Sequence, residues 1–254
     1  MSTTRLHRAP RRILTGKMRP DRPGAELTCA VLCALSLEWV GVDLASGALV
    51  RSGVGAAGAF ALLDRECPDG EADARDEAFP SARLDLFDVV QITVGEAAEP
   101  ADPARPEALI LARPPQLAGR LRPRHARRLL NALDAPERDG SPLLGTWGPS
   151  IAYVDLDGTS PSAMLIEIGR QRPLSLQHDR ARQPIAVTVW GGVTQRLPLL
   201  DPRALGALEA SAQGHLGGAA LAAALGFRPG HLLVALLGAE QGHVRKAVLA
   251  VLPR

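Results

Sequence analysis

Lysine is nearly missing from this chain. It occurs only at Lys17 and Lys246, so arginine supplies the other 27 of the 29 basic side chains. In a sequence also rich in Ala, Gly and Pro, that skew is what GC-rich coding produces, and arginine content alone is therefore no evidence of function. Aromatic residues make up only 3% of the chain. That scarcity argues against the stacking platforms on which single-strand-binding grooves seat successive bases. Trp39, Trp147, Tyr153 and Trp190 read instead as core residues, the usual fate of large aromatics in β proteins. Three cysteines, Cys29, Cys33 and Cys67, are too few and odd in number for a disulfide framework. No histidine lies close enough in sequence to build a zinc site around Cys29 and Cys33, so they read as buried thiols.

Long apolar runs are also lacking. The longest candidate, CAVLCALSL, is about half of the roughly 18 residues that a spanning helix needs, and it ends in Glu38. Arg11-Arg12 precede that run, but the basic region is broken by Pro and no small-x-small cleavage site follows. The expectation is a cytoplasmic protein without a membrane partner. The formal net charge of +2 gives no global pull towards polyanions, so any electrostatic function must reside in local patches.

A hydrophobic fraction of 46% over 254 residues is enough for one large domain or two small ones. Residues 1–24 form a basic arm, with Arg5, Arg8, Arg11, Arg12, Lys17, Arg19 and Arg22 against the single acid Asp21. Short β-like runs then alternate with turn signals: ELTCAVLCALS, EWVGVDL, the Ala45-Ser46-Gly47 turn and ALVRS, and later LFDVVQITV and ALILAR. Between them, residues 64–77 are acidic and without periodicity, as in a solvated loop. In RPRHARRLLNAL the period changes to helical, with Ala126, Leu129, Leu130 and Leu133 on one face and Arg124, Arg127, Arg128 and Asn131 on the other. APERDGSP ends that helix and marks a boundary between a first unit over 25–134 and a second over 135–254.

The second unit opens with further short strands, PLLGTWG, SIAYVDL, SAMLIEI, LSLQH, IAVTVWG and RLPLL. A helix capped by Asp201 with Pro202 at its first position follows, then GAALAAAL closed by Gly226, and a terminal hairpin around AEQG. Val42-Asp43-Leu44 and Val154-Asp155-Leu156 share a setting, but a three-residue word is too short to establish duplication. The expected fold is β-rich α+β, with one or two small antiparallel OB-like barrels, one central helix and two C-terminal helices before a final hairpin.

Two motif look-alikes fail on chemistry. Asp155-Leu156-Asp157-Gly158-Thr159 resembles the nucleophile motif of haloacid-dehalogenase phosphatases. That chemistry also needs a lysine and a second acidic pair for magnesium, because phosphoryl transfer rests on positioning and charge stabilisation. The acids after Thr159 are never adjacent, and the only later lysine is Lys246 in a strand. Asp157-Gly158 between apolar runs reads instead as a hairpin turn. GVGAAG, Gly53–Gly58, fits the dinucleotide pattern but lacks the second strand with its terminal acid. The six histidines show no metal-ligand spacing, and no cofactor or metal is indicated. Gly148-Pro149-Ser150-Ile151-Ala152 only approximates a nucleophile elbow.

What remains is local positive charge. From Ala108 to Leu133, after Glu107, the chain carries Arg113, Arg120, Arg122, Arg124, Arg127 and Arg128 with no acid. Arginine contacts to phosphates require only such local density and give a salt-dependent affinity. The layout of EWVGVDLASGALVRS, LFDVVQITV and EPADPARPEALIL over residues 38–111 resembles the dual OB-containing domain family. The resemblance implies small five-stranded barrels and nucleic-acid binding. That family carries a Trp-x-Arg-Pro element where this chain has Leu49, Arg51 and Ser52, so Arg51 alone is carried over. The expectation is a non-enzymatic module that binds nucleic acid or another polyanion through Arg11, Arg12, Arg51, Arg120, Arg122, Arg124, Arg127 and Arg128. The alternatives are a protein-interaction scaffold, in which the acidic loop and the arginine helix meet a protein partner, and a hydrolase centred on Ser150 or Asp155.

Overall fold

The computed structural model describes residues 23–35, 38–53, 84–95, 102–106, 108–113, 115–133, 141–156, 158 and 161–254. The basic arm with Arg11 and Arg12, the remainder of GVGAAG after Gly53, the acidic segment 64–77, Asp157, Thr159 and residues 134–140 lie outside the described residues. The chain divides into two compact units, Met1–Ala132 and Leu133–Arg254. It is β-rich α+β, built from curled antiparallel OB-like sheets that include a half-barrel. One central helix and two later helices precede a final hairpin.

The first unit holds a six-stranded sheet. Its strands are β1 (Glu26–Ala34), β2 (Glu38–Asp43), β3 (Leu49–Gly53), β4 (Asp88–Thr93), β5 (Ala108–Leu109) and β6 (Gln116–Arg120). Their order is β5-β3-β2-β1-β4-β6, with β3 and β5 the parallel pair. Period-two alternation sorts β1 and β4 between two layers. Leu27, Cys29 and Val31 join Val90, Ile92, Val94, Trp39 and Val50 in one core cluster. Ala30 and Val89 pack on the other side, with Leu121, Ala126 and Leu129 of the helical segment. The sheet is therefore covered on that face by the helix α1 (Pro123–Leu133).

The turn between β2 and β3 is fixed by Asp43. Its buried carboxylate accepts the Ala45 and Ser46 amides at 3.2 and 3.0 Å and the Ser46 hydroxyl at 2.5 Å. Gly47 supplies the left-handed φ of 74° that the turn requires. ALILAR yields only the two-residue β5 and an isolated bridge from Leu111 to Val94, less than the full strand expected. β6, which follows two prolines and is exposed throughout, pairs along β4 without any apolar alternation to announce it.

The second unit contains β7 (Ser150–Ala152), β8 (Ala163–Glu167), β9 (Ser175–His178), β10 (Pro184–Trp190), β11 (Val193–Pro198), β12 (His215–Gly217), β13 (Pro229–Glu240) and β14 (His243–Pro253). They form two four-stranded sheets, β11-β10-β9-β12 and β7-β14-β13-β8. A parallel bridge from Leu199 to Val248 and a 2.9 Å bond from the Leu200 amide to the Val248 carbonyl stitch the sheets together. Two-residue turns close the hairpins at Gly191-Gly192 and Gln241-Gly242, all four residues at positive φ.

Helix α2 (Pro202–Glu209) starts on Asp201, whose side chain accepts the Arg203 and Ala204 amides at 2.9 and 3.3 Å. The same buried carboxylate accepts the Val251 amide of β14 at 2.7 Å, tying the cap to the sheet. Helix α3 (Gly218–Leu225) ends on Gly226 at φ 72°, a left-handed C-cap. PLLGTWG, expected as a strand, holds a 3-10 turn over Leu143–Gly145 with Leu144 at φ 46°. SIAYVDL is strand only over β7 and then turns at Tyr153–Asp155. The strands on either side of Asp157-Gly158 do not pair with each other. β7 pairs with β14 and β8 with β13, at opposite edges of one sheet.

Candidate polyanion-binding surface

Helix α1 carries the candidate surface because its two faces are chemically separate. Ala126, Leu130 and Leu133 are buried at helical spacing. Pro123 at the first helical position gives up no needed hydrogen bond, since its N–H would have no intrahelical acceptor. Arg122, Arg124, Arg127 and Arg128 are all exposed, with His125 half-buried among them. Arg124 and Arg128 stand one turn apart, about 6 Å along the axis. The first turn contains no acid. Arg122 and Arg124 thus sit beside the positive end of the helix dipole, where only an anion would lower the local potential.

The arginines of the first unit fall into two groups. Arg120 donates to Asp85 at 2.6 Å and to Asp88 at 2.8 Å. Those bonds, the one to Asp85 first, raise its pKa above the ordinary arginine value. Arg113 donates to Thr93 at 2.7 Å and to Glu26 at 3.1 Å, and the Thr93 hydroxyl donates to the same Glu26 oxygen. Arg51 and Arg105 are also engaged by other groups. By contrast, Arg122, Arg124, Arg127 and Arg128 have no ion-pair or hydrogen-bond partner among the described residues.

Arg51 is only 1% exposed, in β3. A guanidinium enclosed in the interior does not reach a surface ligand, which corrects its expected place among surface contacts. Arg120 lies at the surface, where its Nε and Nη2 each donate to a carboxylate. Four of the eight arginines expected at the site are thus exposed and unpartnered among the described residues, whereas Arg51 is buried and Arg120 is ion-paired. Arg11 and Arg12 lie outside the described residues.

The two alternative hydrolase centres lie in different elements. Ser150 is half-buried at the start of β7 and Asp155 is exposed in a 3-10 turn. Among the described residues, neither shares a hydrogen bond with a histidine. No group of three His, Cys, Asp or Glu side chains among the described residues could hold a metal ion. No helix among them is long and apolar enough to cross a membrane. No family model, curated protein sequence or solved structure matches the chain.

Proposed function

We propose that the chain is a non-enzymatic module that binds a polyanion, nucleic acid foremost, through the exposed arginines of α1. The observation that carries this reading is the contrast within the first unit. Arg51, Arg105, Arg113 and Arg120 are engaged by other groups, whereas Arg122, Arg124, Arg127 and Arg128 are exposed and unpartnered among the described residues. A solvated polar helix face would serve equally well with acids interspersed among its bases, as on most helices. An uninterrupted cluster repels itself, and phosphates relieve that repulsion with charge-assisted hydrogen bonds.

The chemistry also fixes the type of recognition. Arginine contacts to phosphate oxygens position a protein on nucleic acid without reading its sequence. With few aromatics available for stacking, affinity comes from the backbone and is sequence-independent, with Kd of about 10⁻⁴ to 10⁻⁶ M near physiological salt. The test is equilibrium binding of labelled single-stranded DNA, duplex DNA and RNA to the full chain and to an R124A/R127A/R128A variant. Weakened binding to all three probes supports the reading. Unchanged affinity overturns the role of α1, and absence of binding by the unaltered protein even at low salt overturns nucleic acid as the ligand.

A further inference from the structure

The second unit contains a cleft of about 1010 Å³ between the loop after β8, the first turns of α3 and the start of β13. Pockets of roughly 300–1,000 Å³ are the size that encloses most of a small organic ligand. Backbone bonds shape its walls. The Ile168 amide donates to the Gly230 carbonyl at 2.7 Å, and the Gly169 amide to that of Arg172 at 3.1 Å. The Arg254 amide donates to the Arg228 carbonyl at 3.0 Å, bringing two arginines far apart in sequence to one side of the cleft.

Two kinds of surface meet there. Arg170, Arg172, Arg228 and Arg254 line the cleft, with Glu167 the one acidic side chain lining it among the described residues. Arg170, Arg228 and Arg254 are exposed and have no ion-pair or hydrogen-bond partner for their side chains among the described residues. Arg172 is half-buried, with its guanidinium 5.2 Å from the centroid of the Trp190 ring. The α3 turn facing the cleft has no side-chain cap and no acid, so its free amides reinforce the positive rim. Deeper in, the lining is aliphatic, from the buried side chains of Ile168, Leu174 and Leu221. Among the described residues no aromatic ring lines the cleft, which leaves nothing on which a nucleobase would stack.

The geometry points to a binding site for a small amphiphilic anion, its phosphate or carboxylate head held by Arg170, Arg228 and Arg254 and its aliphatic chain against Ile168, Leu174 and Leu221. Head and chain contribute separately, so each is testable alone. Isothermal titration calorimetry on the full chain would compare octyl phosphate, below its micellar concentration, with inorganic phosphate and with octanol. Octyl phosphate is expected to bind saturably at one site, roughly tenfold or more tighter than either fragment. R170A/R228A is expected to weaken it roughly tenfold or more through loss of charge-assisted hydrogen bonds.

A219W places an indole on an exposed residue of the cleft wall and is expected to abolish binding while leaving thermal unfolding unchanged. Neither variant is expected to change nucleic-acid affinity, which separates this site from α1. Equal binding of octyl phosphate and inorganic phosphate would overturn the aliphatic half of the site, and equal binding of octyl phosphate and octanol the arginine half. Absence of saturable binding, or octyl phosphate affinity unmoved by A219W, would overturn the site itself.

Discussion

Lys246 makes the stability of this protein depend on pH in an unusual direction. It stands opposite Leu236 in the pairing of β14 with β13, wholly buried, and its ammonium donates to the Thr146 carbonyl at 2.5 Å. One carbonyl does not replace the water lost by a buried cation, and desolvation lowers its pKa from 10.5 to about 8. Below pH 8 the amine is protonated in both the folded and the unfolded chain, and above 10.5 in neither. Between those values the unfolded chain holds a proton that the folded chain has released, so stability rises with pH across this window. The gap between 10.5 and about 8 corresponds to a rise of up to about 3 kcal/mol.

Urea unfolding of the unaltered chain and K246M from pH 7 to 11 would measure this effect. Every other titratable group is common to both proteins, so the difference between the two isolates Lys246. Methionine keeps the length without the charge but leaves the Thr146 carbonyl without its donor, a cost of about 1–3 kcal/mol that does not vary with pH. The unaltered chain should therefore gain on the variant between pH 8 and 10.5. A difference that stays constant across the window would refute the reasoning.

Two further substitutions test how each unit is held together. D201A removes the α2 cap and strands the Val251 amide, and should cost about 2–4 kcal/mol in urea unfolding, with D201N recovering part because one acceptor oxygen remains. A loss below about 1 kcal/mol would show that the cap and the sheet are not coupled through this carboxylate. At Gly41 an added Cβ would lie 2.5 Å from the Trp39 ring and 2.8 Å from the Ala30 carbonyl oxygen. Because that ring is fully buried, G41A should cost about 1–3 kcal/mol and perturb the near-ultraviolet circular dichroism, and a neutral substitution would contradict this packing.

Elements specified by local chemistry were legible in the sequence. The Asp43 to Gly47 turn, the Asp201-Pro202 helix start, the Gly226 stop and the Gln241-Gly242 hairpin each depend on side chains adjacent to the feature they produce. Helix α1 was legible because Ala126, Leu129, Leu130 and Leu133 keep one period. Elements set by distant partners were not. β6 becomes a strand through its bonds to β4, and β7 and β8 are parted by the long β13–β14 hairpin inserted between them.

At the candidate surface, the sequence showed the density of arginine but not which guanidinium groups remain available. Asp85 and Asp88 precede Arg120 by more than 30 residues, and the burial of Arg51 follows from its place in β3. The cleft of the second unit had no sequence signal, because pairing of β13 with β14 is what joins Arg228 to Arg254.

The most direct measurement of the central claim is the salt dependence of duplex DNA binding by the full chain and by R124A/R127A/R128A. Four phosphate contacts from Arg122, Arg124, Arg127 and Arg128 would contribute about −3.6 to the slope of log affinity against log salt, and loss of three would reduce its magnitude by about 2.7. That reduction, with unchanged thermal unfolding, is the result this account predicts. Equal slopes for the two proteins would contradict it.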